Sequence, residues 1–245
     1  MNSVDQFRVK IFADGAEKAG MLEMFSNPLI KGFTTNPSLM RKAGINDYEA
    51  FALDILNIIQ DQPISFEIFS DDEKESYEQA LYISSWGKNV YVKIPVTNTK
   101  GESTVNLIRK LAAKGVKQNV TALMTVAQVK EVTQALTNAP SSFISVFAGR
   151  IADTGRDPLP IMKEALNIMQ AYPQLELIWA STREIFNIFQ ANEIGCHIIT
   201  VSNALIKNMQ HVGKELNTFS LETVNTFYED AKNAGFQLEL HTFQA

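Results

Sequence analysis

The sequence predicts an α/β protein, a (β/α)8 TIM barrel with one additional helix at its C-terminal end. Short runs rich in β-branched and aromatic residues alternate with longer amphipathic segments, as parallel strands alternate with crossover helices. Eight such units follow one another within 245 residues without a linker or a low-complexity break, which is the size of such a barrel. We therefore expect residues 1–245 to form a single domain. An open, doubly wound sheet is the alternative that the same alternation allows.

The eight predicted strands are, in chain order, Val9–Asp14, Gly32–Asn36, Ile64–Ile68, Val90–Val96, Gln118–Leu123, Phe143–Gly149, Leu175–Ser181 and His197–Asn203. Between them, apolar residues recur every three or four positions, the period of a helix that covers one face of a sheet. The clearest of these helical segments are 16–25, 47–60, 72–86, 104–115 and 158–172. After the eighth unit, Ser220–Phe236 predicts one further helix.

Composition and charge exclude several classes of function. The net charge of −5 provides no basic surface for nucleic acid or for an anionic membrane. The single cysteine, Cys196, allows no intrachain disulfide, and neither a signal-peptide core nor a membrane-length apolar run is found, so a soluble cytoplasmic protein is expected. The three scattered histidines and the absence of a glycine-rich phosphate loop predict neither a metal nor a cofactor.

A lysine, Lys93, lies at the centre of the apolar strand VYVKIPV. Side chains alternate between the two faces of a strand, so Lys93 shares a face with Tyr91 and Pro95 while the valines and Ile94 lie on the other. A strand lysine usually lies on a solvated face, but the strands of a parallel sheet are covered on both faces. The pattern therefore predicts that Lys93 points into the barrel.

Further polar residues are expected to converge with Lys93 at the C-terminal ends of the strands: Asp14, Asn36, Glu67, Asn119, Thr121, Ser145 and Ser181. Each has an ordinary structural interpretation, since Asp14 and Ser181 could cap helices and Glu67 could be an exposed edge residue. Burying charges is unfavourable unless they are paired, and barrel enzymes hold their catalytic residues at this end. Together these residues predict an active site.

The predicted chemistry is that of a lysine nucleophile. An unprotonated lysine can attack a carbonyl to form a Schiff base, and nearby carboxylates can move the protons of that reaction without a metal. Arg150 follows the sixth strand, and Ser181 and Arg183 are expected at the start of the seventh helix, an arrangement that suits a phosphate group. The residues alone thus predict a metal-free sugar-phosphate lyase or transferase that acts through Lys93.

At these positions the chain resembles the transaldolase family, and the likeness runs from about Lys10 to Asn208. The matching motifs are FAD at Asp14, TTNPSL (Thr34–Leu39), VKIP around Lys93, NVTAL (Asn119–Leu123), ISVFAGRI (Ile144–Ile151) and ASTR (Ala180–Arg183).

The resemblance implies four catalytic residues. Lys93 would be the Schiff-base lysine, and Asp14 the acid/base that takes the proton of the substrate's C4 hydroxyl. Glu67, with Thr121 and a water molecule, would be the proton shuttle for forming and hydrolysing the imine.

The resemblance also implies six substrate-binding residues: Asn36 and Asn119 as hydrogen-bonding partners, Ser145 at the dihydroxyacetone end, and Arg150, Ser181 and Arg183 as a phosphate clamp. The implied substrates are sugar phosphates, and a homo-oligomer is expected.

Within the family, some short members are fructose-6-phosphate aldolases that release free dihydroxyacetone. In those members the position of Glu67 is typically glutamine and that of Phe147 is tyrosine. This chain has the transaldolase combination, so we expect transfer of a dihydroxyacetone unit between sugar phosphates, as in the pentose phosphate pathway. The alternatives are an aldolase that releases dihydroxyacetone and a catalytically silent sugar-phosphate-binding barrel.

Overall fold

A computed structural model of the chain, which describes residues 7–238, contains eight parallel strands that close into a barrel. Each strand pairs with its neighbour in sequence, and the eighth pairs with the first, with Lys10 opposite Ile198 and Asp14 opposite Ser202. Because the sheet has no free edge, the predicted (β/α)8 barrel is confirmed and the open doubly wound sheet is excluded.

The strands are β1 (Lys10–Asp14), β2 (Ile30–Thr34), β3 (Ile64–Glu67), β4 (Val90–Pro95), β5 (Gln118–Leu123), β6 (Ser142–Val146), β7 (Leu175–Trp179) and β8 (Ile198–Ser202). The helices are α1 (Lys18–Phe25), α2 (Pro37–Lys42), α3 (Tyr48–Ile58), α4 (Glu73–Ser84), α5 (Val105–Ala113), α6 (Val126–Ala135), α7 (Ala148–Asp153), α8 (Leu159–Met169), α9 (Phe186–Glu193), α10 (Asn203–Asn208) and α11 (Leu216–Asn233). A 3-10 turn, Met209–His211, follows α10.

Several strands end earlier than predicted, because the residues after them begin a helix or enter a loop. Asn36 is the N-cap residue of α2 rather than the end of the second strand. Phe147 precedes α7 and Gly149 lies within it, so neither belongs to the sixth strand. The seventh strand ends at Trp179, and α9 begins only at Phe186. Ser181 and Arg183 are therefore in a loop, and the prediction that they begin the seventh helix was wrong.

The inside of the barrel is filled by aromatic side chains near the beginning of the strands. The ring of Tyr91 stacks on that of Phe143, with centroids 4.0 Å apart, and Phe12 meets Phe143 edge to face. Gly32 lies against the Phe12 ring, and a β-carbon at that position would come within 2.6 Å of it. This apolar layer closes the interior below Lys93, which follows Tyr91 by two residues on β4.

Two compact units make up the described chain, residues 7–209 and residues 210–238. The first contains the barrel. The second contains α11, which begins after Glu215, whose carboxylate accepts hydrogen bonds from the amides of Asn217 and Thr218. No residue of α11 is buried. The single domain expected for residues 1–245 stays a prediction. Among the helices in residues 7–238, none combines the length and the apolar character needed to cross a membrane.

Candidate active site

Lys93 is buried in the barrel, with 7% of its surface exposed. The pairing of β3 with β4 places Glu67 directly opposite it, and its Nζ lies 3.0 Å from Glu67 Oε2. Lys93 Nζ also donates a 3.1 Å hydrogen bond to the backbone oxygen of Thr35. A buried ammonium group is tolerated only when paired and hydrogen-bonded, and both partners are present here.

Asp14 ends β1 opposite Thr34 on β2, and Thr34 Oγ1 donates a 2.8 Å hydrogen bond to Asp14 Oδ1. Burial raises the pKa of Asp14, and this effect outweighs the lowering by the charge of Lys93 and by the Thr34 hydrogen bond. The N-cap of α1 is Glu17, so Asp14 does not cap that helix. Its carboxyl group therefore binds a proton more readily than an ordinary aspartate does.

A chain of hydrogen bonds crosses the barrel interior from β3 through β5 to β6. Asn119 Nδ2 donates to Ser65 Oγ at 2.9 Å, and Ser145 Oγ donates to Asn119 Oδ1 at 2.7 Å. Because Asn119 lies opposite Lys93 in the register of β4 and β5, this chain borders the lysine. The amide of Asn119 is held at both ends, and the Ser145 hydroxyl can still accept a hydrogen bond from a substrate.

Thr121 is 2% exposed, and its hydroxyl has no hydrogen-bonding partner among the described residues. An irregularity in the pairing of β5 with β6 lies between Val120 and Leu123, and Ala122 within it has a φ of 64°. A buried hydroxyl without a protein partner calls for a water molecule or a ligand. The Thr121 side chain therefore offers a free hydroxyl inside the barrel.

The backbone that carries Glu67 is fixed by an aromatic side chain from α3. Tyr48 donates its hydroxyl to the Glu67 backbone oxygen at 2.8 Å, and burial raises the pKa of Tyr48. Beside Glu67, a cavity of about 820 Å³ opens between the loops that follow β3 and β4. Asp71 joins these two loops, accepting hydrogen bonds from the amide and the hydroxyl of Thr99, both at 2.7 Å.

Asn36, also predicted to bind substrate, has a structural role in this structure. Its Oδ1 accepts a 3.0 Å hydrogen bond from the amide of Leu39 and so caps α2. The side-chain NH2 group is the part of Asn36 that remains able to donate to a ligand.

Arg150 and Arg183 come from two neighbouring segments, α7 and the loop after β7, and both are exposed. Arg183 forms a bidentate ion pair with Asp153, the last residue of α7. Ser181 has a φ of 65°, and its carbonyl oxygen lies against Gly149, where a β-carbon would come within 1.6 Å of it. The seventh crossover helix, α9, begins only at Phe186, so Ser181 and Arg183 do not form its N-terminus, and the phosphate clamp expected from Arg150, Ser181 and Arg183 stays a prediction.

Four residues beside the site were not singled out from the sequence as functional: Thr34, Thr35, Ser65 and Asp153. A signal existed for Ser65, which shares the inward face of β3 with Glu67. Asp153 carried no signal, because its partner Arg183 is 30 residues away. Within residues 7–238, no three His, Cys, Asp or Glu side chains converge as a metal site would require.

Comparison with known protein families shows to which family the chain belongs. The family model for transaldolase/fructose-6-phosphate aldolase matches residues 11–244, so the chain belongs to this family. A protein of Thermoanaerobacter sp. named probable transaldolase is 33% identical over 231 residues, covering 94% of this chain and all of that protein. A probable transaldolase of Dehalococcoides mccartyi is also 33% identical, covering 83% of this chain and 91% of its own length. "Probable transaldolase 2" of Listeria monocytogenes is 32% identical and covers 82% and 88% respectively.

Two solved structures share the fold at low sequence identity. A lyase/mutase of Burkholderia cenocepacia, described as putative, superposes with a TM-score of 0.54 at 11% identity, covering 97% of this chain and 89% of that one. A dihydrodipicolinate synthase family protein of Coccidioides immitis, described in the same way, gives 0.53 at 9% identity, with coverage of 78% and 67%. At such low identity these similarities establish the fold alone.

Proposed function

We propose that this protein is a transaldolase, which moves a dihydroxyacetone unit from a ketose phosphate to an aldose phosphate through an imine on Lys93. The observation that carries the proposal is the pair of the buried Lys93 with the partly buried Glu67, 3.0 Å apart, inside the barrel that also holds the partly buried Asp14. Family membership supports the same class of reaction.

The first step requires a neutral amine. Glu67 Oε2, 3.0 Å from Lys93 Nζ, can take the proton that leaves the amine. The amine then attacks the ketose carbonyl, and the protonated Glu67 supplies the proton with which the carbinolamine hydroxyl leaves as water. The unpartnered hydroxyl of Thr121 can hold that water.

Cleavage requires a base at the C4 hydroxyl. The Asp14 carboxylate accepts the hydroxyl proton, the C3–C4 bond breaks, and its electron pair moves into the iminium to leave an enamine on Lys93. The aldose phosphate leaves as an aldehyde. A second aldose phosphate then accepts the enamine carbon, and Asp14 returns its proton to the new hydroxyl. The raised pKa of Asp14 suits a group that must hold the proton between these two half-reactions.

The residues at positions 67 and 147 support transfer over release of dihydroxyacetone. Phe147 packs against the apolar cluster inside the barrel and offers no hydroxyl that could direct a water molecule to the enamine. Glu67, unlike glutamine, can accept and donate a proton, so it can exchange protons with the imine on Lys93 as that imine forms and is hydrolysed. The enamine is then expected to wait for an aldehyde rather than take a proton from solvent.

The proposal includes a setting and an assembly. We place the reaction in the cytoplasm, because a single cysteine offers no intrachain disulfide. The proposed substrates place it within the interconversion of sugar phosphates. We also propose a homo-oligomer, since α11 exposes the apolar side chains of Leu221, Val224 and Phe227. Sedimentation of the purified protein tests the assembly, and a monomer at micromolar concentration would contradict it.

Trapping the imine tests the mechanism. Incubation with fructose 6-phosphate and borohydride should leave a reduced three-carbon adduct on Lys93, located by peptide mass spectrometry. Lys93→Arg keeps the positive charge but cannot form the imine, so adduct and activity should both vanish. Lys117→Arg, a replacement of a lysine at the opposite end of the barrel, is the matched control and should retain both. An adduct on another lysine would contradict the proposal.

Product analysis tests transfer against release. With fructose 6-phosphate alone, the wild type should free dihydroxyacetone slowly, and turnover should become fast when erythrose 4-phosphate is added. Glu67→Gln combined with Phe147→Tyr should shift the balance toward release. If the wild type frees dihydroxyacetone as fast as it transfers it, the protein is an aldolase and the proposal of a transferase is wrong.

A further inference from the structure

Within residues 7–238, the guanidinium group of Arg183 is held along one edge, by Asp153. Its Nε donates to Asp153 Oδ1 at 3.0 Å, and its Nη2 donates to Asp153 Oδ2 at 2.5 Å. Two parallel hydrogen bonds of this kind fix the plane of the guanidinium as well as its position. Although both side chains are about half exposed, this bidentate geometry separates the pair from ordinary surface ion pairs, which have little structural effect.

The remaining donors of Arg183 point away from Asp153. A guanidinium has five N–H bonds, and the pair with Asp153 uses the one on Nε and one on Nη2. One hydrogen of Nη1 points toward the Cδ side, while the other hydrogen of Nη1 and the second hydrogen of Nη2 form the Nη1–Nη2 edge. A phosphate group can therefore bind Arg183 bidentately at that edge while Asp153 stays in place.

The base on which Asp153 stands is itself fixed to the loop that carries Arg183. Gly149, in the first turn of α7, lies so close to Ser181 that a β-carbon would meet its carbonyl oxygen at 1.6 Å. The Gly149 amide also donates to the backbone oxygen of Ala180 at 3.3 Å. Helix α7 is thus attached to the loop after β7 at both of its ends, by the backbone at Gly149 and by the ion pair at Asp153.

We propose that Asp153 is a positioning residue for phosphate recognition: it orients Arg183 so that the free edge of the guanidinium meets the phosphate of the sugar substrate. This inference rests on the proposed function, because it takes Arg183 as part of the phosphate site. Asp153 does not itself touch the substrate. Its negative charge near a phosphate is unfavourable, and the orientation of Arg183 outweighs that repulsion.

The two effects of Asp153 have opposite signs, which makes the inference testable. If Asp153 only repelled or competed with phosphate, Asp153→Asn would lower KM for a phosphorylated donor. If it positions Arg183, Asp153→Asn should raise that KM on the order of 10-fold, because a charge-assisted hydrogen bond is weakened. KM for fructose, which lacks the phosphate, should not change, nor should the yield of the borohydride adduct that dihydroxyacetone forms on Lys93.

Two further variants sharpen the experiment. Glu184 is the residue next to Arg183, and the Glu184 side chain makes no hydrogen bond or ion pair in residues 7–238. Glu184→Gln removes one negative charge there and should leave KM unchanged or slightly lower. Asp153→Glu keeps the carboxylate and should recover part of the loss. Inhibition by inorganic phosphate provides a direct readout, and its inhibition constant should rise in Asp153→Asn in parallel with KM.

The outcomes separate this inference from the proposed function. A wild type that does not prefer fructose 6-phosphate to fructose would overturn the phosphate site and the role of Asp153 with it. A wild type that prefers the phosphorylated donor, together with an Asp153→Asn variant of equal or lower KM, would overturn the role of Asp153 alone. A lower melting temperature without a change in the ratio of the two KM values would make Asp153 merely structural and contradict the inference.

Discussion

Thr34 and Asp14 face each other across the first two strands, and the threonine hydroxyl donates its hydrogen bond to one oxygen of the carboxylate only. Asp14 Oδ1 thus accepts one hydrogen bond within residues 7–238, while Oδ2 accepts none there and can receive a bond from a substrate hydroxyl. The bond stabilises the ionised carboxylate, while burial opposes it. The pKa of the proposed base thus depends on a neighbour that never meets the substrate.

Thr34→Val keeps the shape of the side chain and removes the donor. Since a hydrogen bond to the carboxylate lowers its pKa, its loss should raise the pKa of Asp14 further. The acid limb of the kcat profile should move to higher pH, as measured by steady-state kinetics. Thr133→Val is the control, because the buried Thr133 hydroxyl has no partner in the described chain. An unchanged acid limb in Thr34→Val would mean that this limb does not report on Asp14.

Asp14→Asn should abolish transfer but stabilise the fold at pH 7. A carboxyl group whose pKa is raised in the folded state stabilises that state below the pKa of the unfolded chain and loses this contribution as pH rises through the folded pKa. At neutral pH the ionised Asp14 is therefore unfavourable to folding, and calorimetry should show a melting temperature a few degrees higher for the variant. The gain should shrink as the pH falls toward the pKa of an aspartate in the unfolded chain.

Asp71→Asn is a comparison variant, because the pKa of Asp71 is shifted in the opposite direction to that of Asp14. Hydrogen bonds from Thr99 lower the pKa of Asp71, so this carboxylate favours the folded state above its unfolded pKa and loses that effect as pH falls. This variant should not gain stability at pH 7. Equal shifts in both variants would show that the amide, and not the removed charge, causes the change.

Gly149→Ala should destabilise the protein strongly. The added β-carbon would lie 1.6 Å from the Ser181 carbonyl oxygen, and a backbone atom cannot move aside as a flexible side chain can. Overpacking typically costs about 1–3 kcal/mol and occasionally more. Gly15→Ala is the control, since the nearest atom to its β-carbon, Asn203 Oδ1, would be 3.9 Å away. Chemical denaturation measures both, and equal stabilities would contradict the close approach of α7 to the loop after β7.

Ala122→Gly should be close to neutral or slightly stabilising. Ala122 has a φ of 64°, a left-handed conformation that costs an L-residue roughly 1–2 kcal/mol and glycine far less. The greater freedom of glycine in the unfolded chain offsets part of this gain. Ala112→Gly in α5 should instead lose about 1 kcal/mol, the usual penalty in a helix. Urea denaturation compares the two, and an equal loss in both would argue against strain at Ala122.

The fold could be predicted because the hydrophobic period changes from strand to helix eight times along the chain. The same period placed Lys93 and Glu67 on inward faces, where the structure finds them paired. A strand dictates the direction of its side chains, so residues within strands are accessible to this reasoning.

The conformation of the loops after the strands could not be predicted from the hydrophobic period. Nothing local in the sequence indicates the left-handed conformation of Ser181, whose carbonyl oxygen lies against Gly149 of α7, or the start of α9 at Phe186. The pair of Arg183 with Asp153 likewise requires two loops to be in place. The capping role of Asn36 could have been read from the proline that follows it, a favoured first residue of a helix.

The closed pairing of β1 with β8 also bears on how the chain becomes active during folding. Asp14 and Lys93 are 79 positions apart in sequence. On one side, β1 pairs with β8, the last strand along the chain. Contacts between such distant segments form slowly, because the loop entropy must be lost before they contribute. During refolding, helical circular dichroism should therefore return well before the ability of Lys93 to be trapped by borohydride. The time at which the imine can first be trapped on Lys93 then reports when the barrel closes.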